Sequence, residues 1–498
     1  MSEPTPASIV NVSLLSHTNV GKTTLARTLL RQDIGEVADR PHVTELAEAN
    51  VLVESPEGDR LVLWDTPGFG DSARLLRRLQ RSGNALGWFL RQVWDRYTDR
   101  PFWCSQQAMV NAREESDVVL YVVNASEDPR SAAYVEAEMQ ILAWIGKPIV
   151  LLLNQLGTPR DAAADRADVE KWRAHLAHFP ELRGVLPFDA FARCWVLEST
   201  LLGAVETALA DEKRAAAARL RATWRARDLQ VFASSAAVIA QQLASVAIDE
   251  EKLPERGTSD RARAYLTSIA TGAAATDPLL ERGQRALADR LDRVVRSSTD
   301  ELVRLHGLSG RATQDILKRM GRQFAVERPA DADKASVIGG LVSGALGGLA
   351  ADLAAGGLTF GAGALIGGVL GALGARGLAR AYNLARGAEI GTIRWSGEFL
   401  TERTAAALAR YLAVAHFGRG RGEFVAIEAP AHWEDAIART TDARRRELDA
   451  VWRDAREREP TERALLPIVT AMASEVLARL YPEAAVAAGL TMYEKATS

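Results

Sequence analysis

Lys22 and Thr23 close the run Ser16-His17-Thr18-Asn19-Val20-Gly21-Lys22-Thr23-Thr24, and Asp65 opens Asp65-Thr66-Pro67-Gly68 about 40 residues later. An ammonium beside a hydroxyl, directly behind a glycine, suits a polyphosphate. Lys22 brings positive charge to the β- and γ-phosphates, and the Thr23 hydroxyl can ligate Mg²⁺. Backbone N–H groups of the loop and of the following helix point at the phosphate oxygens. Ser16 stands where the usual G-x-x-x-x-G-K-[ST] pattern has its first glycine. Asp65, at the end of a strand beside this loop, can hold Mg²⁺ through water, and Gly68 offers an N–H to the γ-phosphate and a hinge. Thr44, at the end of a polar loop, is the candidate to reach both Mg²⁺ and γ-phosphate; the alternative is a plain surface threonine. The phosphate set is therefore Ser16, Asn19, Val20, Gly21, Lys22, Thr23, Thr24 and Gly68, and the metal set is Thr23, Thr44 and Asp65.

These residues need a scaffold, and the apolar pattern supplies one. Ile9–Leu15 reads as a buried parallel strand, and Leu25, Leu29 and Leu30 share one face of the helix that follows. Glu45–Glu54, Arg60–Trp64, Asp117–Ala125, Pro148–Leu153 and Val185–Phe188 read as further strands, with a helix over Ala132–Ile145. The fifth of these six strands ends in Asn154-Gln155-Leu156-Gly157 and the last in Asp189-Ala190-Phe191. Alternation at this spacing predicts an α/β fold: a doubly wound, mostly parallel sheet with its ligand at the strand C-termini.

GKTT, a loop threonine, DTPG, NQxG and a terminal small-residue Ala, in that order, resemble the Era-like and septin-like branch of translation-factor-type P-loop GTPases. The chain resembles more narrowly a bacterial family that joins such a domain to a C-terminal helical domain of unknown function. The first resemblance covers about residues 8–210, the second the whole chain. It implies GTP or GDP with Mg²⁺ as ligands, and Asn154, Gln155 and Ala190 as base-side contacts. It adds Asn19 to Lys22 and Thr44 as a catalytic candidate. In potassium-stimulated relatives the matching Asn helps hold K⁺ against the phosphates, supplying charge where an arginine finger otherwise would. The other reading of Asn19 is tolerance of a tight loop. Relatives often dimerise through this domain, so a homodimer is expected by analogy.

Two positions depart from the family pattern. Its guanine-reading motif is Asn-Lys-x-Asp; here Gln155 replaces the Lys and Gly157 the Asp. A missing bidentate carboxylate costs ~1–3 kcal/mol of guanine-over-adenine discrimination. Asp161 is near enough to substitute, and an ATPase is left open. Phe69 follows the DTPG glycine where a Ras-like enzyme carries its water-positioning Gln, and an apolar ring cannot orient water. Slow GTP hydrolysis by a switch is the expected activity. The alternative is a membrane-associated scaffold gated by nucleotide with negligible turnover.

At 498 residues, 47% hydrophobic and 25% charged, the chain has material for roughly two to four domains and a large core. A net charge of −3 gives no bulk case for nucleic-acid binding, and none is expected. Cys104 and Cys194 match no metal spacing and suit a reducing compartment, and MSEPTPAS lacks a secretory pattern. A cytoplasmic location is expected, with peripheral contact at the inner membrane as the extension.

The expected organisation is a P-loop domain over 1–210 with a helical insertion at 73–112, a helical region at 211–334, a glycine-rich hairpin at 335–376 and a C-terminal helical region at 377–498. In the insertion, Leu86, Phe89, Leu90, Val93, Trp94 and Tyr97 mark one helix face, flanked by Arg74, Arg77, Arg78, Arg81, Arg91, Arg96 and Arg100. The favoured reading is a helix packed on the protein itself, and the alternative a membrane- or partner-binding helix. Ala208–Leu243 reads as a long helix or helix pair, Asp277-Pro278 as a break, Glu434–Glu457 as a charged helix and Leu465–Leu480 as an apolar-faced one. His175, His178, His306, His416 and His432 are scattered, as structural histidines are. Between Lys334 and Arg376 only Asp352 is ionisable, and Gly340, Gly344, Gly348 and Gly363, Gly367, Gly371 recur every four residues. That is a ridge for close helix packing, turned at Gly356-Gly357, with each arm able to cross ~30 Å of hydrocarbon. Arg322, Arg328 and Lys334 flank one end and Arg376, Arg380 and Arg386 the other, which favours membrane contact. Against it stand the weak hydropathy of Ala and Gly and Asp352, which costs ~3 kcal/mol at a bilayer centre. A packed soluble hairpin is the alternative.

Overall fold

The computed structural model describes residues 7–30, 48–81, 95, 98–156, 162–190, 194–252, 278–308, 392–416 and 431–490. Six strands form one sheet: β1 (Ile9–Ser16), β2 (Glu48–Glu54), β3 (Arg60–Asp65), β4 (Val118–Asn124), β5 (Ile149–Asn154) and β6 (Leu182–Pro187). Their order is β2-β3-β1-β4-β5-β6, so β1 is flanked by strands that lie on opposite sides of it in the winding. All neighbours are parallel except β2 and β3. Residues 55–59, which join that pair, are too few for a parallel crossover, which needs a dozen or more. Ser55 and Asp59 instead close a hairpin, with Gly58 at φ 88°.

Period-two alternation divides the core between the two sheet faces. Val118, Leu120 and Val122 of β4 pack to one side with Leu25 and Leu29 of α1 (Lys22–Leu30). Val119, Tyr121 and Val123 pack to the other with Leu75 of α2 (Ser72–Arg81) and Met109 of α3 (Arg100–Glu115). The second face is completed by Met139 of α4 (Ala133–Ile145) and Trp172 of α5 (Ala162–Leu176). The first is completed by Leu201 and Val205 of α6 (Val196–Ala208) and by Trp224 of α7 (Asp211–Ala247). With both faces covered, β4 and β5 are buried almost end to end, each large side chain contributing about 1.5–3 kcal/mol. The α/β sheet expected from the motifs is thus present, with ends shifted by one to three residues. The helix over Ala162–Leu176 has no counterpart in the sequence reading, because Asp165, Arg166, Asp168 and Glu170 dilute its apolar stripe.

Residue contacts gather the described chain into two compact units: 1–231 with 415–424 and 477–498, and 232–414 with 425–476. In the first, Lys213 of α7 binds the Asp117 carboxylate at 2.7 Å, and Arg219 grips Asp59 with two bonds of 2.7 and 2.9 Å. The helix α13 (Pro482–Ala488) packs on α6 with Ala484, Ala485 and Ala488 buried, and His416 pairs with Tyr481 at 2.8 Å. The second unit is mainly helical: α8 (Pro278–Leu305), α9 (Gly397–Ala415), α10 (Ala431–Ala443), α11 (Arg445–Asp454) and most of α12 (Arg458–Leu480).

Of the two readings of Ala208–Leu243, the long helix holds, running unbroken from Asp211 to Ala247. Two expectations for this half change. Glu434–Glu457 is two helices, since Arg444, at φ −104° and ψ 12°, interrupts it. Strands do occur here: β7 (Glu250–Lys252) pairs antiparallel with β8 (Thr392–Arg394), held to α8 by Arg290 on Asp249 and Glu251. Three-residue strands carry too little alternation to be read from sequence. α8 starts at Pro278, the proline of the expected break; Asp277 lies outside the described residues. Among the described helices α7 is long and apolar enough to cross a membrane by length and composition, with half of its apolar window buried.

Candidate functional site

The chain turns from β1 into α1 through residues 17–21, at the sheet position where the winding reverses. Asn19 (φ 67°) and Gly21 (φ 90°) both take the left-handed conformation. Asn is one of the few non-glycine residues to do so readily. At Gly21 a Cβ would stand 2.8 Å from Asn154 Nδ2, so no side chain fits there. Lys22 then opens α1, and its Nζ donates to Asp65 Oδ1 at 2.8 Å, with neither side chain more than 7% exposed. Thr23 is half-buried beside it. Val20 and Thr24 are buried with their side chains packed inward, which leaves backbone N–H groups as their means of meeting a phosphate. The Ser16 hydroxyl folds back onto the carbonyl of His17 at 2.7 Å, which lets serine occupy the place of a glycine.

The segment after β3 is stitched to this loop. Phe69 N–H donates to the Ser16 carbonyl at 2.9 Å, and the Phe69 carbonyl accepts from Thr18 N–H at 3.2 Å and Thr18 Oγ1 at 2.9 Å. Gly68 lies so near that a Cβ would be 3.3 Å from the Thr18 Cα. Ser105 of α3 donates to the Gly68 carbonyl at 3.3 Å and accepts from Gly70 N–H at 3.2 Å. The Phe69 ring is fully buried in the core that holds Leu15 and Leu75, so its task is anchorage.

On the far side, Asn154 bridges three loops. Its Nδ2 donates to the Val20 carbonyl at 2.7 Å, and its Oδ1 accepts from Ala190 N–H at 2.8 Å. Gln155 has φ 57° and its Nε2 lies 3.5 Å from the Asn19 carbonyl. The Ala190 carbonyl takes the Thr28 hydroxyl of α1 at 3.0 Å. Asp189, buried at the end of β6, accepts the Leu156 N–H on Oδ2 at 2.8 Å. It sets a carboxylate against the loop in which Gly157 replaces the Asp of the family motif. The DA pair before Phe191 was its visible signal.

Glu138 is the larger omission of the sequence reading. It lies on the apolar stripe of α4 beside Val135, Met139 and Leu142, fully buried. It takes bonds from His17 Nδ1 at 2.7 Å, Ser72 Oγ at 2.5 Å and Tyr121 OH at 2.7 Å. His17 also stacks on Tyr134, ring centroids 4.4 Å apart. Burial lowers the His17 pKa, but the hydrogen bond and charge of Glu138, with the charge of Glu127, leave it raised overall. Burial, with Glu138 beside it, pushes the Tyr121 phenol well above its ordinary range. A glutamate on an otherwise apolar stripe was the signal that could have found this cluster.

Arg74 and Arg78 are clamped locally: Arg74 to Asp99 at 2.5 Å and over the Phe102 ring at 4.0 Å, Arg78 to Asp95 at 2.6 Å. Asp99 caps α3 by accepting the Phe102 N–H at 3.3 Å. Cys104 and Cys194 are both buried thiols. Thr44, Gly157, Asp161, the helix face at 86–97 and the hairpin at 335–376 lie outside the described residues. No group of three His, Cys, Asp or Glu able to hold a metal occurs among the described residues. Of the expected metal donors, the described residues include Asp65, whose carboxylate is paired with Lys22, and Thr23 next to that lysine in sequence; one carboxylate and one hydroxyl are a donor set compatible with Mg²⁺, which keeps several waters and shares phosphate oxygens.

Comparison with known proteins agrees with this geometry. A family model described as 50S ribosome-binding GTPase matches residues 11–155, and one described as a domain of unknown function (DUF3482) matches residues 173–467. The GTPase Era of Heliobacterium modesticaldum is 27% identical over 150 residues, 30% of this chain and 40% of that protein. The GTPase Era of Geotalea daltonii is 26% identical over 179 residues, 36% of this chain and 49% of that protein. The chain thus spans half or less of the length of these curated relatives. Among solved structures, Era in complex with MgGDPNP and nucleotides 1506–1542 of 16S ribosomal RNA is 17% identical, covering 60% of this chain and 90% of that one, with a TM-score of 0.30.

Proposed function

From a chain that belongs to the DUF3482 family and carries an Era-type P-loop GTPase domain at its N-terminus, we propose a GTP-binding switch that hydrolyses GTP slowly. The observation that carries this reading is the buried Lys22–Asp65 pair at the mouth of a loop shaped by left-handed Asn19 and Gly21. Lys22 meets the phosphates, and Thr23 and Asp65 would hold Mg²⁺, which when bound shields phosphate charge. Thr44 completes the metal set from the preceding loop. Gly68, tied to the loop through Phe69, senses the γ-phosphate. Asn154 holds the base side of the site against Val20 and Ala190, and Asp189 supplies the carboxylate that discriminates guanine from adenine. Asn19 would hold a K⁺ ion, which when bound would supply positive charge beside the phosphates.

The helical half reads the nucleotide state by rearrangement, by self-association through the GTPase domain, or by membrane contact through 335–376 at the cytoplasmic face. Nucleic acid is not part of this reading, and co-sedimentation with ribosomes or their RNA would overturn that point.

Phosphate release by the purified chain decides the enzymatic claim, with GTP or ATP, in KCl or NaCl, and with Lys22→Ala as the blank. Turnover of GTP that needs Lys22 and rises in KCl is the expected result. Turnover no higher than the blank with either nucleotide would leave the nucleotide-gated scaffold as the better reading.

A further inference from the structure

We propose that Glu138 is a positioning residue of the hydrolysis, registering the phosphate loop and the start of α2 on one carboxylate; the proposal rests on the GTPase reading above. Three elements besides its own helix deliver a donor to it. His17 comes from the phosphate loop, Ser72 from the first residue of α2 and Tyr121 from β4. His17 and Ser72 meet at the same atom, Oε1, while Tyr121 takes Oε2.

The chemistry of the position argues against mere filling. A carboxylate taken wholly out of water is costly, and a packed apolar side chain is often as stable or better there. Three donors satisfy the buried carboxyl group, but they also fix where each donor must be. Two of those donors belong to two neighbouring walls of the candidate site, the phosphate loop and the start of α2. Ser72 lies four residues past Gly68, and between them Phe69 is bonded to Ser16 and Thr18 of the loop. Residues 68–72 are thereby held to the loop at one end by backbone and at the other through Glu138. Either both walls keep one arrangement, or Ser72 must leave Oε1 for α2 to shift. Catalysis by positioning depends on such a register, and the loss of a remote tether lowers the rate with little effect on ground-state binding.

The test compares the two sides of the carboxylate in the full chain, by steady-state GTP hydrolysis with Mg²⁺ and by equilibrium GTP binding. Ser72→Ala is expected to lower kcat about tenfold with KM within about twofold, and Ser72→Thr to restore it. Glu138→Gln lowers kcat to a similar degree, and adding Ser72→Ala to it lowers kcat no further, since the pair acts as a unit. Tyr121→Phe removes a donor to the same carboxylate from the sheet side and keeps kcat within about twofold. An unchanged kcat in Ser72→Ala, or an equal loss in Tyr121→Phe, overturns the proposal while the GTPase reading stands. Should Glu138→Gln not fold, Ser72→Ala against Tyr121→Phe decides alone. Absence of Lys22-dependent turnover in the unaltered chain overturns the GTPase reading, and the proposal with it.

Discussion

The Lys22 ammonium rests 2.8 Å from Oδ1 of Asp65, and both groups are almost wholly shielded from water. Removing one partner of a buried pair leaves the other uncompensated, at about 3–5 kcal/mol. Lys22→Ala is therefore expected to melt well below the unaltered chain even without nucleotide, besides losing GTP binding. Lys22→Ala combined with Asp65→Asn regains part of that loss. Thermal melts of the nucleotide-free single and double variants check this.

Asp189 accepts the Leu156 N–H at the edge of the loop after β5, and the proposed function gives its carboxylate the reading of guanine. Asp189→Asn is expected to lower the ratio of GTP to ATP affinity by about tenfold or more, the ~1–3 kcal/mol assigned to a base-reading pair. Competition between GDP and ADP for a fluorescent nucleotide measures that ratio.

Arg219, bonded to Asp59 by two bonds, holds that carboxyl down to about 2, against burial, with help from the Ser8 N–H and Ser55. A carboxyl depressed in the folded state contributes stability that is complete above its unfolded value, near 3.8, and is lost as pH falls toward 2. The contribution is about 2 kcal/mol. Urea unfolding of Asp59→Asn should show a flatter pH dependence between pH ~4 and ~2 than the unaltered chain.

Phe69 fills the position of a water-orienting Gln, yet its side chain lies in the core. Phe69→Gln should not raise kcat. It buries an amide in place of a ring and costs about 2–4 kcal/mol. Phosphate release measured beside a thermal melt separates the two effects.

The candidate site was legible in sequence where a residue's type is forced by a local requirement. Gly21 must be glycine against Asn154, Lys22 needs its Asp65, and the buried β4 and β5 announce themselves as continuous apolar runs. What could not be read were partners brought together by the fold. Glu138 lies 121 residues from His17, and no local pattern links them. Phe69 could be seen as a departure from the family pattern, but its place in the core depends on Leu15 and Leu75. The break at Arg444 was hidden because its neighbours on both sides favour helix, and the pairing of Glu250–Lys252 with Thr392–Arg394 joins segments about 140 residues apart.

The helix α13, seated on α6, lies more than 270 residues further along the chain. During synthesis the nucleotide unit is therefore incomplete when its first 231 residues have left the ribosome; roughly 250 more must follow before Ala484, Ala485 and Ala488 can cover α6. At ~5–20 residues per second that interval is roughly 13–50 s, during which the flank of α6 meant for α13 stays open to solvent. The phosphate loop and its sheet are made well before α13, the helix that covers α6 in the same unit.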